Sequence, residues 1–169
     1  IKPNELLQAT GWIDLLRSFA IADPVVNQLA LFVEPTRSAD SAVFRGFRVT
    51  PELKPGDYRL SVEGERYTLS LDPGVQVETG QLSDSIGRSV GFLWRPDPSV
   101  FQGRKDVGFR VQTPREASNL LIKQLQMNLN EGSSFLSLTL TGTNSSRTAA
   151  TLNAWVEQFV AVATALKKR

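Results

Sequence analysis

Apolar positions recur along this chain with changing periods, and each period predicts a different element. From Asn4 to Ala20 they fall at helical spacing, with Leu6, Leu7, Ile13, Leu16 and Phe19 on the side expected to be buried and Gly11 a weak point. Asp23-Pro24 reads as an N-cap followed by proline in the first helical position, opening a short helix through Leu29. Glu34-Pro35 to Ala39 is polar and predicts a loop.

Beyond Val43 the period shortens to two. Pro51, Pro55-Gly56 and Asp72-Pro73-Gly74 punctuate short alternating runs. Tyr58, Leu60 and Val62 share one face, while Arg59, Ser61 and Glu63 point the other way. After a turn at Glu63-Gly64-Glu65, Tyr67, Leu69 and Leu71 repeat the pattern, which predicts a hairpin with one wet face. Val75 and Val77, Val90–Trp94 and Val107–Val111 supply further strands, so the region reads as a small antiparallel unit.

The helical period returns at Thr113-Pro114-Arg115-Glu116, where a threonine cap, a proline and a returning glutamate form a capping box. The spacing predicts a helix through about Leu129, burying Ala117, Leu121, Leu125 and Leu129 beside Ile122, with Gly132 as its stop. Ser134–Thr141 alternates as a strand, Leu136, Leu138 and Leu140 on one face and Ser137, Thr139 and Thr141 on the other. Asn144-Ser145-Ser146 offers a turn and cap candidates before a last helix from about Arg147. In that helix Leu152, Phe159 and Leu166 lie seven apart with Trp155 and Val162 between them, the seam of a partner-helix contact. The pattern runs to Arg169 with no Gly or Pro stop, so it reads as the start of a longer helix, and the Ile-Lys-Pro opening reads as that of an excised piece.

Composition then narrows the chemistry. At 169 residues and 41% apolar the chain can bury one sizeable core, or one core with a subdomain. A net charge of +2 is too slight to imply a nucleic-acid partner. With no cysteine and no histidine, thiolate nucleophiles, imidazole bases and the metal sites built on either are excluded. The remaining acids, Asp14, Asp23, Glu34, Asp84, Asp97 and Asp106 among them, are dispersed and form no evident glycosidase pair. No catalytic, cofactor-binding or metal-binding residue is assigned. Phe92, Trp94 and Phe101 are candidate sugar-stacking rings, with core packing as the competing role.

In order along the chain, the segments NELLQATGWIDLLRSFAIADPVVNQLAL, GDYRLSVEGERYTLSLDPGVQVETGQL, VGFRVQTPREASNLLIKQLQMNL, FLSLTLTGTN and SSRTAATLNAWVEQFVAVA resemble the periplasmic base of bacterial polysaccharide chain-length determinants, the polysaccharide co-polymerases, in their exopolysaccharide-transport branch. The departure is at the final helix, which often opens with Asp-Pro in the family and here has Ser145-Ser146. The expected fold is α+β: a small mixed or antiparallel sheet packed with helices, an inserted β-rich subdomain, and the start of a long C-terminal helix. Residues 1–42 would form the helical part of the base, 43–106 the insertion, and 107–169 the strand-helix-strand-helix part. The resemblance implies an inner-membrane, periplasm-facing, non-enzymatic scaffold that regulates polymer length or couples synthesis to export. Its implied partners are further copies of itself, a polymerase, the growing glycan, and the membrane through flanking segments. Trp155, Phe159 and Val162 are the candidate assembly residues, packing the last helix on the base. The alternative reading is a stand-alone carbohydrate- or peptide-binding β-rich module.

Overall fold

Ser18 divides what the apolar pattern reads as one long helix. The structure, a computed structural model, describes residues 9–129, 136–142 and 144–168. Helix α1 (Ala9–Leu16) stops when Ser18 turns extended, and its hydroxyl donates to the Leu15 carbonyl at 2.6 Å. The Ser18 carbonyl in turn accepts from Ile21 and Ala22, so one residue closes α1 and opens α2 (Phe19–Leu29). The helix start expected at Asp23-Pro24 is therefore displaced: both residues lie inside α2. Asp23 does not cap its own helix, because its carboxylate accepts from Arg115 at 2.8 Å and Ser118 at 2.7 Å. Leu6 and Leu7 lie outside the described residues.

The chain separates into two compact units, Ile1–Leu31 with Pro114–Arg169, and Phe32–Thr113. In the first, α2 buries Ile21, Ala22, Val25 and Val26. It packs against α3 (Pro114–Gln124) and α4 (Ser145–Lys167). Helix α3 is shorter than its apolar spacing predicts. Leu125 makes the last helical bond, to the Leu121 carbonyl, and the chain then extends as β8 (Gln126–Leu129), paired antiparallel with β9 (Leu136–Thr139). A strand won because Met127 finds a cross-strand partner in Leu138, which no single helix supplies. The stop expected at Gly132 and the first residues of the Ser134–Thr141 strand lie outside the described residues. Asn144, rather than either serine, caps α4, its side chain accepting from the Arg147 amide at 3.1 Å.

In the second unit, five antiparallel strands lie in the order β1 (Val33–Pro35), β7 (Asp106–Val111), β3 (Gly56–Glu63), β4 (Arg66–Leu71), β5 (Val75–Gln81). The β3–β4 hairpin has the register its alternation predicts, with Leu60 opposite Leu69 and Val62 opposite Tyr67 around a turn at Gly64, whose φ is +63°. Glu34-Pro35, expected as loop, is edge strand instead, where a missing proline amide disturbs no ladder. A 3-10 helix (Ser38–Phe44) and a two-stranded ribbon of β2 (Arg48–Val49) and β6 (Phe92–Leu93) cover one face of the sheet. Both edges of this unit lie outside the 43–106 span expected for the insertion. The cause is hydrogen bonding: β7 is an inner strand flanked by β1 and β3, so residues 107–111 belong to this sheet.

The fold is α+β, with an antiparallel sheet. Among the described residues, no helix is long and apolar enough to cross a membrane.

Candidate functional site

The assembly residues named from the sequence sit along α4 in unequal surroundings. Trp155 is fully buried, and its indole Nε1 donates to the Leu16 carbonyl at 3.0 Å. That carbonyl belongs to the last turn of α1, whose acceptors have no partner within their own helix. A side chain from the far end of the sequence thus completes the end of α1. Phe159 meets Trp12 edge-on, ring centroids 5.3 Å apart, and Lys167 Nζ lies 5.9 Å from the Trp12 ring. Leu152 and Val162 are half-buried, while Leu166 is exposed. The seam is deepest at Trp155 and opens toward the helix's C-terminal end. Beside it Val156 and Val160 are 43% and 55% exposed, which leaves an apolar flank on an otherwise anchored helix.

The sugar-stacking candidates have a different fate. Phe92, Trp94 and Phe101 are 1%, 2% and 4% exposed. Trp94 stacks on Phe44 at 5.2 Å and donates its indole proton to the Val43 carbonyl, and Phe92 lies against Phe47 and Tyr58. A ring needs an open face to stack on a sugar, and these faces are taken by the core.

The opposite face of the five-stranded sheet is polar throughout its three central strands. Cross-strand partners point the same way, so Asp57 and Arg110 form one row, Arg59 and Ser70 a second, Asp106, Ser61 and Thr68 a third, and Glu63 and Arg66 a fourth. Arg110 Nε lies 2.8 Å from Asp57, with Glu34 opposite on β1; hydrogen bonding and then attraction to Asp57 push the guanidinium pKa up. At one end this face opens into a groove of ≈ 1260 Å³ whose lining includes Arg37, Ser61, Arg66, Thr68, Thr79 and Lys105.

Two acids play roles the sequence pattern did not single out. Asp40 is 2% exposed and takes Arg37 Nε on one carboxylate oxygen and Arg104 Nε on the other, each at 3.1 Å. Arg104 also donates to the Val100 and Ala39 carbonyls, so this buried charge ties the 3-10 helix to the loop before β7. Glu78 projects from β5 onto the loop that follows it, accepting from the Tyr67 hydroxyl (2.7 Å) and the amides of Gly87 (2.5 Å) and Ser89 (3.2 Å). Burial opposes its charge, but these hydrogen bonds outweigh burial and hold the carboxyl below its ordinary value. Burial, then the hydrogen bond and charge of Glu78, push the Tyr67 phenol well up. Neither acid carries a hydrophobic period or a motif. The one available signal for Asp40 was an acid among small residues three positions after an arginine.

Two more of the acids named from the sequence hold hydrogen bonds of their own. Asp97 accepts from the Ser99 amide at the start of a 3-10 helix, which lowers its pKa, and Asp106 accepts from Ser61. Among the described residues, no cluster of three His, Cys, Asp or Glu side chains is arranged to hold a metal ion. Comparison with protein-family models and with curated proteins gives no match.

Proposed function

We propose that this chain is the periplasmic base of an inner-membrane, homo-oligomeric scaffold that sets polysaccharide chain length or couples polymerisation to export, and that it acts without catalysis. The observation that supports this reading is the anchoring of α4. Trp155 is sealed against α1, while the neighbouring Val156 and Val160 stay exposed on the same helix. A helix fixed at its root and apolar along one flank transmits the geometry of the base to whatever it meets next. Length control by geometry needs that rigidity and needs no nucleophile. The alternative of a carbohydrate-binding module loses its aromatic support, since Phe92, Trp94 and Phe101 are core.

The test is the size distribution of surface or secreted polysaccharide from cells lacking the full-length gene, then complemented with it. A shifted or lost modal length with unchanged sugar composition supports length regulation, and complete loss of polymer supports export coupling. An unchanged profile removes both. Complementation with Trp155→Ala localises the role: if that variant kept both its stability and the polymer profile, α4 would not carry it.

A further inference from the structure

The small ribbon of β2 and β6 carries an unbalanced charge that the scaffold reading does not use. Arg48 is the register partner of Leu93, and their side chains share the outer face of the ribbon. Val49 and Phe92 take the inner face, where Phe92 is buried; Arg48, Leu93 and Arg95 are exposed, Leu93 by 55%. The turns hydrogen-bonded to this ribbon carry further exposed cations. The Lys54 amide donates to the Val90 carbonyl, and Gly91 donates to the Arg88 carbonyl. Arg45 stands three residues before Arg48. The two segments 45–54 and 88–95 hold five cations and a single carboxylate, Glu52; a second carboxylate, Glu78, reaches in from β5 and is held on the amides of Gly87 and Ser89. Among the described residues, none of these cations forms an ion pair; Arg48 donates only to the Phe47 carbonyl. Contrast the groove at the end of the large sheet, where Arg37 and Arg104 are committed to Asp40.

We infer that this face of the ribbon binds an acidic polysaccharide, its carboxylates held by Arg48 and Arg95 with Lys54 and Arg88 at the margins. Guanidinium groups present planar paired donors that match carboxylate geometry. Unpaired, exposed cations on adjoining segments attract a polyanion through its whole charge density, so the binding weakens with salt. A membrane surface is the less favoured occupant, because interfacial binding grows with buried apolar area and Leu93 is a lone apolar side chain among these cations. The choice of a glycan among polyanions rests on the scaffold reading; the charged surface itself does not.

The experiment measures binding of the purified chain to alginate, a polyuronate, by calorimetry at low and high salt. Neutral dextran and phosphatidylglycerol vesicles serve as comparison ligands. Arg48→Ala with Arg95→Ala should weaken alginate binding about thirtyfold, the effect of two cations at a polyanionic surface. Arg17→Ala with Lys123→Ala removes the same charge from the helical unit and should leave binding close to wild type. Both residues of each pair are exposed, and a thermal melt checks that each variant folds. Undetectable alginate binding, or equal loss in the two double variants, overturns the site. Equal binding of dextran overturns the ligand class, and tighter binding to vesicles transfers the surface to a membrane. None of these outcomes touches polymer length in cells, so the scaffold reading stands or falls on its own deletion experiment.

Discussion

Replacing Trp155 tests whether α4 is anchored by one side chain. The ring is wholly buried, so Trp155→Ala leaves a cavity that the surrounding helices close only in part, at about 3–5 kcal/mol. The same change strands the carbonyl of Leu16, a residue 1% exposed, which adds about 1–3 kcal/mol for an unsatisfied buried acceptor. Trp155→Phe keeps most of the volume but not the donor, and should lose only about 1.5–3 kcal/mol. Val156→Ala, one residue along and 43% exposed, should stay within about 0.5 kcal/mol of wild type. The two units need separate reporters, because a single global transition is not guaranteed for such a chain. Hydrogen exchange followed by mass spectrometry supplies them. Peptides from α1, α2 and α4 should lose protection in Trp155→Ala, while those from β3, β4 and β7 keep theirs. Two results would refute the reasoning: a loss below about 1 kcal/mol for the alanine variant, or equal losses for Trp155→Ala and Val156→Ala.

Asp40→Ala leaves two guanidinium groups without their shared carboxylate. Arg37 and Arg104 stay partly solvated, so the expected loss is about 2–4 kcal/mol, measured by chemical denaturation of the β unit, against a smaller loss for Arg37→Ala at its 63% exposed side chain. Glu78 has a folded pKa below its ordinary value of 4.5, so its contribution is complete above that pH and fades as the pH falls through the depressed folded value. Acid unfolding should therefore separate wild type from Glu78→Gln above pH 4.5, with the two curves converging below it. Tyr67 has the opposite sign: its raised pKa makes its contribution full below 10 and lost as the pH climbs further, a loss that Tyr67→Phe should abolish in alkaline melts. Gly87 holds φ at +81°, and a Cβ there would overlap the Phe92 ring, so Gly87→Ala should cost several kcal/mol, about 2–4, in a thermal melt.

Much of the architecture was legible in the order of residues because local rules met no opposition. The alternation of Tyr58, Leu60 and Val62 against Tyr67, Leu69 and Leu71, with glycine at the turn, specifies one hairpin register. Leu121 and Leu125 fall where a helix would bury them, and both are buried. Of Trp155, Phe159 and Val162, named together from the sequence, Trp155 is the most deeply enclosed. Each of these depends on neighbours within a few positions, which a linear pattern records.

What the pattern misplaced depended on partners far away in the chain. Asp23-Pro24 has the chemistry of a helix start, yet Arg115 and Ser118, 92 and 95 residues on, claim the aspartate, and Ser18 ends the preceding helix instead. Gln126–Leu129 continues a helical spacing, but cross-strand bonds to Leu136–Thr139 made extension the better outcome. Phe92 and Trp94 read more readily as core than as sugar platform, but the pattern could not say which rings would close over them; Phe44, Phe47 and Phe109 do. Asp40 was one acid among many until the fold brought Arg104, 64 residues away, to its second oxygen. Sequence determined the α+β composition and the hairpin, because periodicity is a local property. Tertiary structure alone decided which polar groups are paired and which aromatic faces are closed, because pairing and closure are set by which distant segments meet.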